Sequence, residues 1–159
     1  MRKILTLTVL FLTLLSCSEK DIFIEGNIIP EPKKLIIKDN RLHQIKDVTI
    51  LSSSENIIYP HNKDEYYLSS KNGNVVIEGN VIWAKQTLKQ IADENNRIPD
   101  VEIHDWSAYP FRGFMHDTGR NFQTIDMLKE TIDLMSLYKI NYFHWHLTDN
   151  PAWRIECKA

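Results

Sequence analysis

The chain has 159 residues, of which 43% are hydrophobic and 25% charged, and this composition excludes a disordered or fibrous class. Its net charge is −2 and it contains no basic patch of the kind nucleic acid requires, so no nucleic-acid partner is expected. The two cysteines, Cys17 and Cys157, show no zinc-type spacing, and neither a metal nor any other cofactor is implied.

Met1-Arg2-Lys3 is a basic start, and Ile4 to Leu15 is an apolar or Thr-containing run too short for a comfortable membrane span. Leu14-Leu15-Ser16-Cys17 resembles a bacterial lipobox, so residues 1–17 are expected to be a lipoprotein signal peptide with lipid attached at Cys17. An ordinary signal peptide with a chance cysteine, or a short anchor, are the alternatives. Removing Arg2 and Lys3 would take the charge from −2 to −4. A lipidated Cys17 would leave Cys157 without an intrachain partner, so no disulfide is expected. The expected location is the cell envelope, with the membrane reached through the anchor. Residues 18–29 read as a tether.

Residues 30–104 read as a small α+β domain. Pro30 and Pro32 favour an extended entry, and Leu35-Ile36-Ile37 and Val48-Thr49-Ile50-Leu51 have strand composition. Tyr66-Tyr67-Leu68 and Val75-Val76-Ile77 flank Asn72-Gly73, which supplies the positive φ angles of a tight hairpin. Val81, Ala84, Leu88 and Ile91 step by three, four and three, predicting a helix from about Val81 to Glu94 with Asn80 as cap.

Beyond Pro99 the pattern changes, and residues 105–159 read as a β-α-β unit. Phe111 to Met115 is expected to be a strand, and Thr124 to cap a helix reaching about Tyr138, with Ile125, Leu128, Ile132 and Met135 on one face. Tyr142 to Leu147 is expected to be a parallel second strand. Its period of two puts Tyr142, His144 and His146 on one face, with Phe143, Trp145 and Leu147 on the other. In an α/β barrel the ligand site lies at the carboxyl ends of the strands. Arg112, His116, Asp117, His144, His146 and Asp149 are therefore expected to gather in one neighbourhood. Arg112 could bridge two sugar hydroxyls with its planar fork, or pair with Asp117 or Asp149. Arg120 is expected to pair with Asp117 and fix the loop. Trp153, Arg154 and Glu156 could line the mouth or begin the next loop. Two core histidines with satisfied bonds are as common as a liganding pair.

These residues resemble the family 20 glycoside hydrolases, the β-N-acetylhexosaminidases. The likeness rests on Arg112-Gly113, Asp117, Arg120 and Phe122, then on Lys139, Asn141, His144-Trp145-His146-Leu147 and Asp149, and on Trp153-Arg154-Ile155-Glu156. Upstream, Ile29-Pro30-x-Pro32 and Ala84-x-Gln86-Thr87-Leu88-x-Gln90 are similar to the small domain that precedes the barrel in that family.

The resemblance implies an α/β protein in which the small domain leads into the first β-α-β unit of a (β/α)8 TIM barrel, here truncated. It implies hydrolysis of terminal non-reducing N-acetylhexosamine from glycans by a retaining, substrate-assisted route. In that route the sugar's own 2-acetamido oxygen attacks the anomeric carbon, while an Asp-Glu dyad orients the acetamido group and supplies the acid. By resemblance Arg112 and Asp149 bind substrate, and Asp149 supports the catalytic acid. Asn150 stands where many members have a second aspartate. The dyad is expected on a later strand, beyond Ala159, so no catalytic residue is expected in this chain and the isolated chain should be inactive. The rival readings are a lipid-anchored, non-catalytic glycan-binding protein and a metal-dependent amidohydrolase fragment using His144, His146 and Asp149.

Overall fold

Two β-rich units share one joint, and each is built from elements that its local sequence favours. The computed structural model describes residues 28–159 except 53, 54, 60, 151, 157 and 159. The expected signal peptide, Cys17, the expected tether up to residue 27 and Cys157 lie outside the described residues.

The first unit is a five-stranded sheet covered by a helix. Its strands are β1 (Lys34–Gln44), β2 (Asp47–Leu51), β3 (Tyr66–Lys71), β4 (Asn74–Gly79) and β5 (Arg97–Asp105), in the spatial order β1-β5-β3-β4-β2. The β3–β4 hairpin closes through Asn72 and Gly73, with φ of 50° and 83° and Lys71 paired to Asn74. These angles are those of a two-residue turn whose twist matches the strands. A side chain at Gly73 has no room, because an added Cβ would lie 2.0 Å from the Gln44 carbonyl oxygen.

Helix α1 (Val81–Ile91) begins where Asn80 accepts the Trp83 N–H at 3.0 Å, and it buries Ala84, Thr87 and Ile91. It stops three residues short of the expected Glu94, with Ala92 already extended. Its buried face packs on the sheet over one core cluster that includes Leu68, Ile77, Ile98 and Ile103, all fully buried. Each such side chain contributes about 1.5–3 kcal/mol of transfer free energy.

The sequence pattern did not announce β5, although it lies between β1 and β3 in the sheet. Pro99 argues against a central strand because it has no N–H to donate. The structure accommodates it: β3 pairs with β5 only over Glu102–Asp105, beyond the proline. Beside it the Ser70 hydroxyl donates to the Pro99 carbonyl at 2.5 Å and accepts the Val101 N–H at 3.0 Å. A side chain replaces the missing ladder bonds.

The second unit is β6 (Gly113–Asp117), α2 (Ile125–Leu137) and β7 (Tyr142–His146), with β6 and β7 parallel and Gly113 opposite Tyr142. Thr124 caps α2 by accepting the Met127 N–H at 3.3 Å. A short antiparallel pair follows, β8 (Thr148–Asp149) with β9 (Ala152–Trp153). Strand β6 begins two residues later than expected, so Phe111 and Arg112 precede it. Leu128 and Met135 of α2 are buried, whereas Ile125 and Ile132 remain exposed. Among the described residues no helix is long and apolar enough to cross a membrane.

The joint between the units is polar. Lys139, just past α2, has a φ of 56° and is buried, and its ammonium donates to Asp105 at 2.8 Å and to the Tyr66 hydroxyl at 2.9 Å. Burial and the Asp105 carboxylate push the Tyr66 phenol up. Gln86 of α1 bonds the Ser136 hydroxyl, and Gln90 donates to the Leu137 carbonyl.

Candidate functional site

Because β6 and β7 are parallel, Asp117 and His146 lie side by side at one end while Gly113 and Tyr142 lie at the other. The carboxyl end is where α/β units hold ligands. Asp149 follows β7 and belongs to that end.

Arg112 belongs to the opposite end, so the expected convergence with Asp149 is corrected. Five residues of strand, about 3.3 Å each, separate the two ends. Arg112 pairs with neither Asp117 nor Asp149. Its Nη1 donates to Asp64 at 2.6 Å and to the Tyr109 carbonyl at 2.6 Å, and its Nε donates to the Lys139 carbonyl at 2.8 Å. Its guanidinium also lies 5.8 Å from the centre of the Trp83 ring. Burial alone would raise the Asp64 carboxyl, but bonds from Trp83, Ser107 and Arg112 together hold it below its ordinary value. Nε and Nη1 of Arg112 are thus engaged at the joint between the units.

Arg120 occupies the position expected of Arg112. Its Nη2 donates to Asp149 Oδ2 at 2.8 Å, and its Nε lies 3.5 Å from Asp117 Oδ2. The side chain is 70% exposed, leaving guanidinium donors facing solvent. His146 Nε2 lies 3.2 Å from the same Asp149 oxygen. The backbone N–H of Asn150, followed by the bond from His146, keeps the Asp149 carboxyl below its ordinary value, and Arg120 adds to this. Asp149 therefore stays ionised, an acceptor held between a guanidinium and an imidazole.

The remaining expected residues divide by strand alternation. His144 shares a face with His146, their rings 6.2 Å apart and tilted edge-on. His116 lies on the other face, near Phe114 at 6.0 Å, and does not join the cluster. Arg154 folds back: it donates to the carbonyls of Thr118 at 2.9 Å and Gly119 at 3.4 Å, and stacks over Phe122 at 5.4 Å. Trp153 and Glu156 are exposed.

Asp117, His146 and Asp149 offer ligand atoms within 4.8 Å of one another, so the triad suited to a cation contains Asp117 in place of the expected His144. A cation is already supplied there by Arg120, which shares an Asp149 oxygen with His146. This charge arrangement disfavours the amidohydrolase reading. Adjacent Asp-Glu pairs do occur in the sequence, at Asp64-Glu65 and Asp93-Glu94, but neither lies at the carboxyl ends of β6 and β7. Glu65 is buried, accepting the N–H groups of Ile58 and Tyr59 and facing His104 Nε2 at 2.7 Å, while Asp93 pairs with Arg97. Asp64, Glu65 and Asp93 are thus each engaged by neighbouring groups of the fold.

Comparison with known proteins bears on the same segment. Residues 109–159 match the model of the glycosyl hydrolase family 20 catalytic domain. A β-hexosaminidase of Porphyromonas gingivalis is 39% identical over 113 residues, 62% of this chain and 14% of that protein. Beta-hexosaminidase B of Pseudoalteromonas piscicida is 31% identical over 163 aligned residues, 80% of this chain and 21% of that protein. The crystal structure of a β-N-acetylhexosaminidase from Bacteroides fragilis superposes with a TM-score of 0.68 at 26% identity, covering 82% of this chain and 35% of that one. The chain thus spans between about a seventh and a fifth of the length of these two curated relatives.

Proposed function

Because the chain belongs to glycosyl hydrolase family 20 through its segment 109–159, we propose that the protein carrying it hydrolyses terminal N-acetylhexosamine from glycans. The observation that carries this reading is the exposed Arg120 guanidinium paired to an ionised Asp149 at the carboxyl ends of two parallel strands. A guanidinium donates to sugar hydroxyls and a carboxylate accepts from them, so the pair can grip one vicinal diol from both sides. Such a grip orients the sugar ring. Its 2-acetamido oxygen then serves as the nucleophile, and an acid outside these two strands protonates the leaving oxygen. Arg112 takes no part in the grip and holds the small unit against the barrel strands.

The same reading includes residues 30–104 as a small domain leading into a (β/α)8 barrel that starts near residue 105, with Cys17 as the lipid anchor to the cell envelope. The wall-like alternation of β6 and β7 and the lipobox-like Leu14-Leu15-Ser16-Cys17 support it. A non-catalytic glycan-binding protein would use the same Arg120–Asp149 pair.

The test uses the product of the natural gene, read from its start to its stop codon, assayed on p-nitrophenyl N-acetyl-β-glucosaminide and p-nitrophenyl β-glucoside. Hydrolysis of the first alone is expected, since only it carries the acetamido nucleophile. Equal hydrolysis of both would refute the substrate-assisted route. Binding of N-acetylglucosamine without hydrolysis would favour the non-catalytic reading.

A further inference from the structure

We propose that Thr118 is the positioning residue that sets where Arg120 meets the sugar, an inference that rests on the glycosidase reading above. Arg120 is 70% exposed, and a long side chain so exposed keeps much of its rotamer freedom. The working place of its guanidinium is therefore decided by how its backbone is held. Two residues earlier the chain is fixed on every side. Thr118 is 2% exposed, and all its polar atoms are engaged. Its N–H and its hydroxyl both donate to the His146 carbonyl, at 3.0 and 3.1 Å. The hydroxyl accepts the Trp145 indole N–H at 2.8 Å, and the carbonyl accepts Arg154 Nε at 2.9 Å.

These bonds tie the loop bearing Arg120 to the strand end bearing His146 and, three residues on, Asp149. The clearance there is small. A Cβ added at Gly119 would lie 3.1 Å from the Asp149 nitrogen and 3.2 Å from both Asp149 Cβ and Asp117 Oδ1. A shift of a few tenths of an ångström in this loop would therefore move Arg120 relative to Asp149. Valine keeps the shape of threonine but removes the hydroxyl, leaving the Trp145 donor without its acceptor and the His146 carbonyl with one bond fewer. Arg120 would touch hydroxyls that do not react, so misplacing it weakens ground state and transition state alike.

The experiment compares Thr118→Val and Thr118→Ser in the natural full-length product, with kinetics on p-nitrophenyl N-acetyl-β-glucosaminide and hydrogen exchange at the Gly119 amide. Thr118→Val is expected to raise KM about 10-fold with kcat changed less than about 3-fold, and to speed Gly119 exchange by about 10-fold or more. Thr118→Ser should return both to near the parent values. A parent-like KM in Thr118→Val overturns the proposal, as does a serine variant equally impaired, which would assign the effect to methyl packing. If Thr118→Val does not fold, Trp145→Phe carries the test, because it removes the donor to the hydroxyl while leaving Thr118 itself intact, and an unaltered KM then overturns it. A parent protein that hydrolyses nothing defeats the glycosidase reading by itself. The Gly119 exchange rate then decides the positioning role, with unaltered exchange in Thr118→Val counting against it.

Discussion

Arg112 Nη1 donates to Asp64 Oδ2 at 2.6 Å, joining the first residue before β6 to the loop that precedes β3. Both side chains are under a quarter exposed, so the pair is shielded from water by the two units it connects. A desolvated pair is costly to break by halves, because the survivor is left buried and uncompensated. Arg112→Ala should therefore destabilise the fold by about 3 kcal/mol, and Asp64→Asn by a similar or smaller amount. A double-mutant cycle in urea should show coupling of about 1–3 kcal/mol. Additive effects would mean the two groups do not act as a pair.

The two arginines should separate cleanly in kinetics. Removing a charge-assisted bond to substrate costs about 1.5–3 kcal/mol, so Arg120→Ala should lower kcat/KM about 10- to 100-fold while leaving the melting temperature almost unchanged. Arg112→Ala should do the reverse, lowering the melting temperature with KM close to the parent value. Steady-state kinetics and thermal unfolding on the same two proteins check this, and a KM defect confined to Arg112→Ala would restore the sequence-based assignment.

Lys139 carries two opposed effects. Its positive φ strains any residue with a Cβ, while its ammonium satisfies the buried Asp105. Lys139→Ala keeps the strain and loses the charge, with an expected loss of about 3–5 kcal/mol. Lys139→Gly loses the same charge but relieves the strain, so it should be more stable than Lys139→Ala by about 1 kcal/mol. Denaturant melts of the two variants measure the difference. Equal stabilities would show that the left-handed conformation relaxes when the ion pair is gone.

Acid should open the Arg120–Asp149 cluster late. Asp149 and Asp64 both titrate below the ordinary aspartate value of 3.8 in the folded protein. A carboxyl lowered in this way stabilises the fold above its unfolded pKa and loses that contribution as pH falls through the folded one. The melting temperature should thus hold on acidification to about pH 4 and fall below it, less steeply in Asp149→Asn. A decline that begins near pH 6 would trace to a histidine and contradict this assignment.

Much of the local structure was legible because short-range physics fixes it. Asn80 and Thr124 cap helices through their own side chains, and Asn72-Gly73 turns a hairpin because both adopt positive φ. Strand β5 was missed because Pro99 reads as a breaker, and the Ser70 hydroxyl that offsets it lies 29 positions away in the chain. The site was half legible. Asp117, His146 and Asp149 converge as their spacing suggested, whereas Arg112 and His116 do not.

The amino-acid sequence by itself determined the chemistry available to this protein: two arginines, a histidine pair and aspartates set around a strand-helix-strand pattern, with the helix and turn boundaries that local bonding dictates. Which arginine joins Asp149 at the carboxyl ends of β6 and β7 was decided only in three dimensions. A two-residue offset in where β6 begins, and a burial site for Arg112 created by Asp64 and Trp83 from the other unit, are long-range outcomes. No periodicity within residues 112–120 encodes them, because Asp64 and Trp83 are distant from Arg112 in sequence and meet it only once both units have packed.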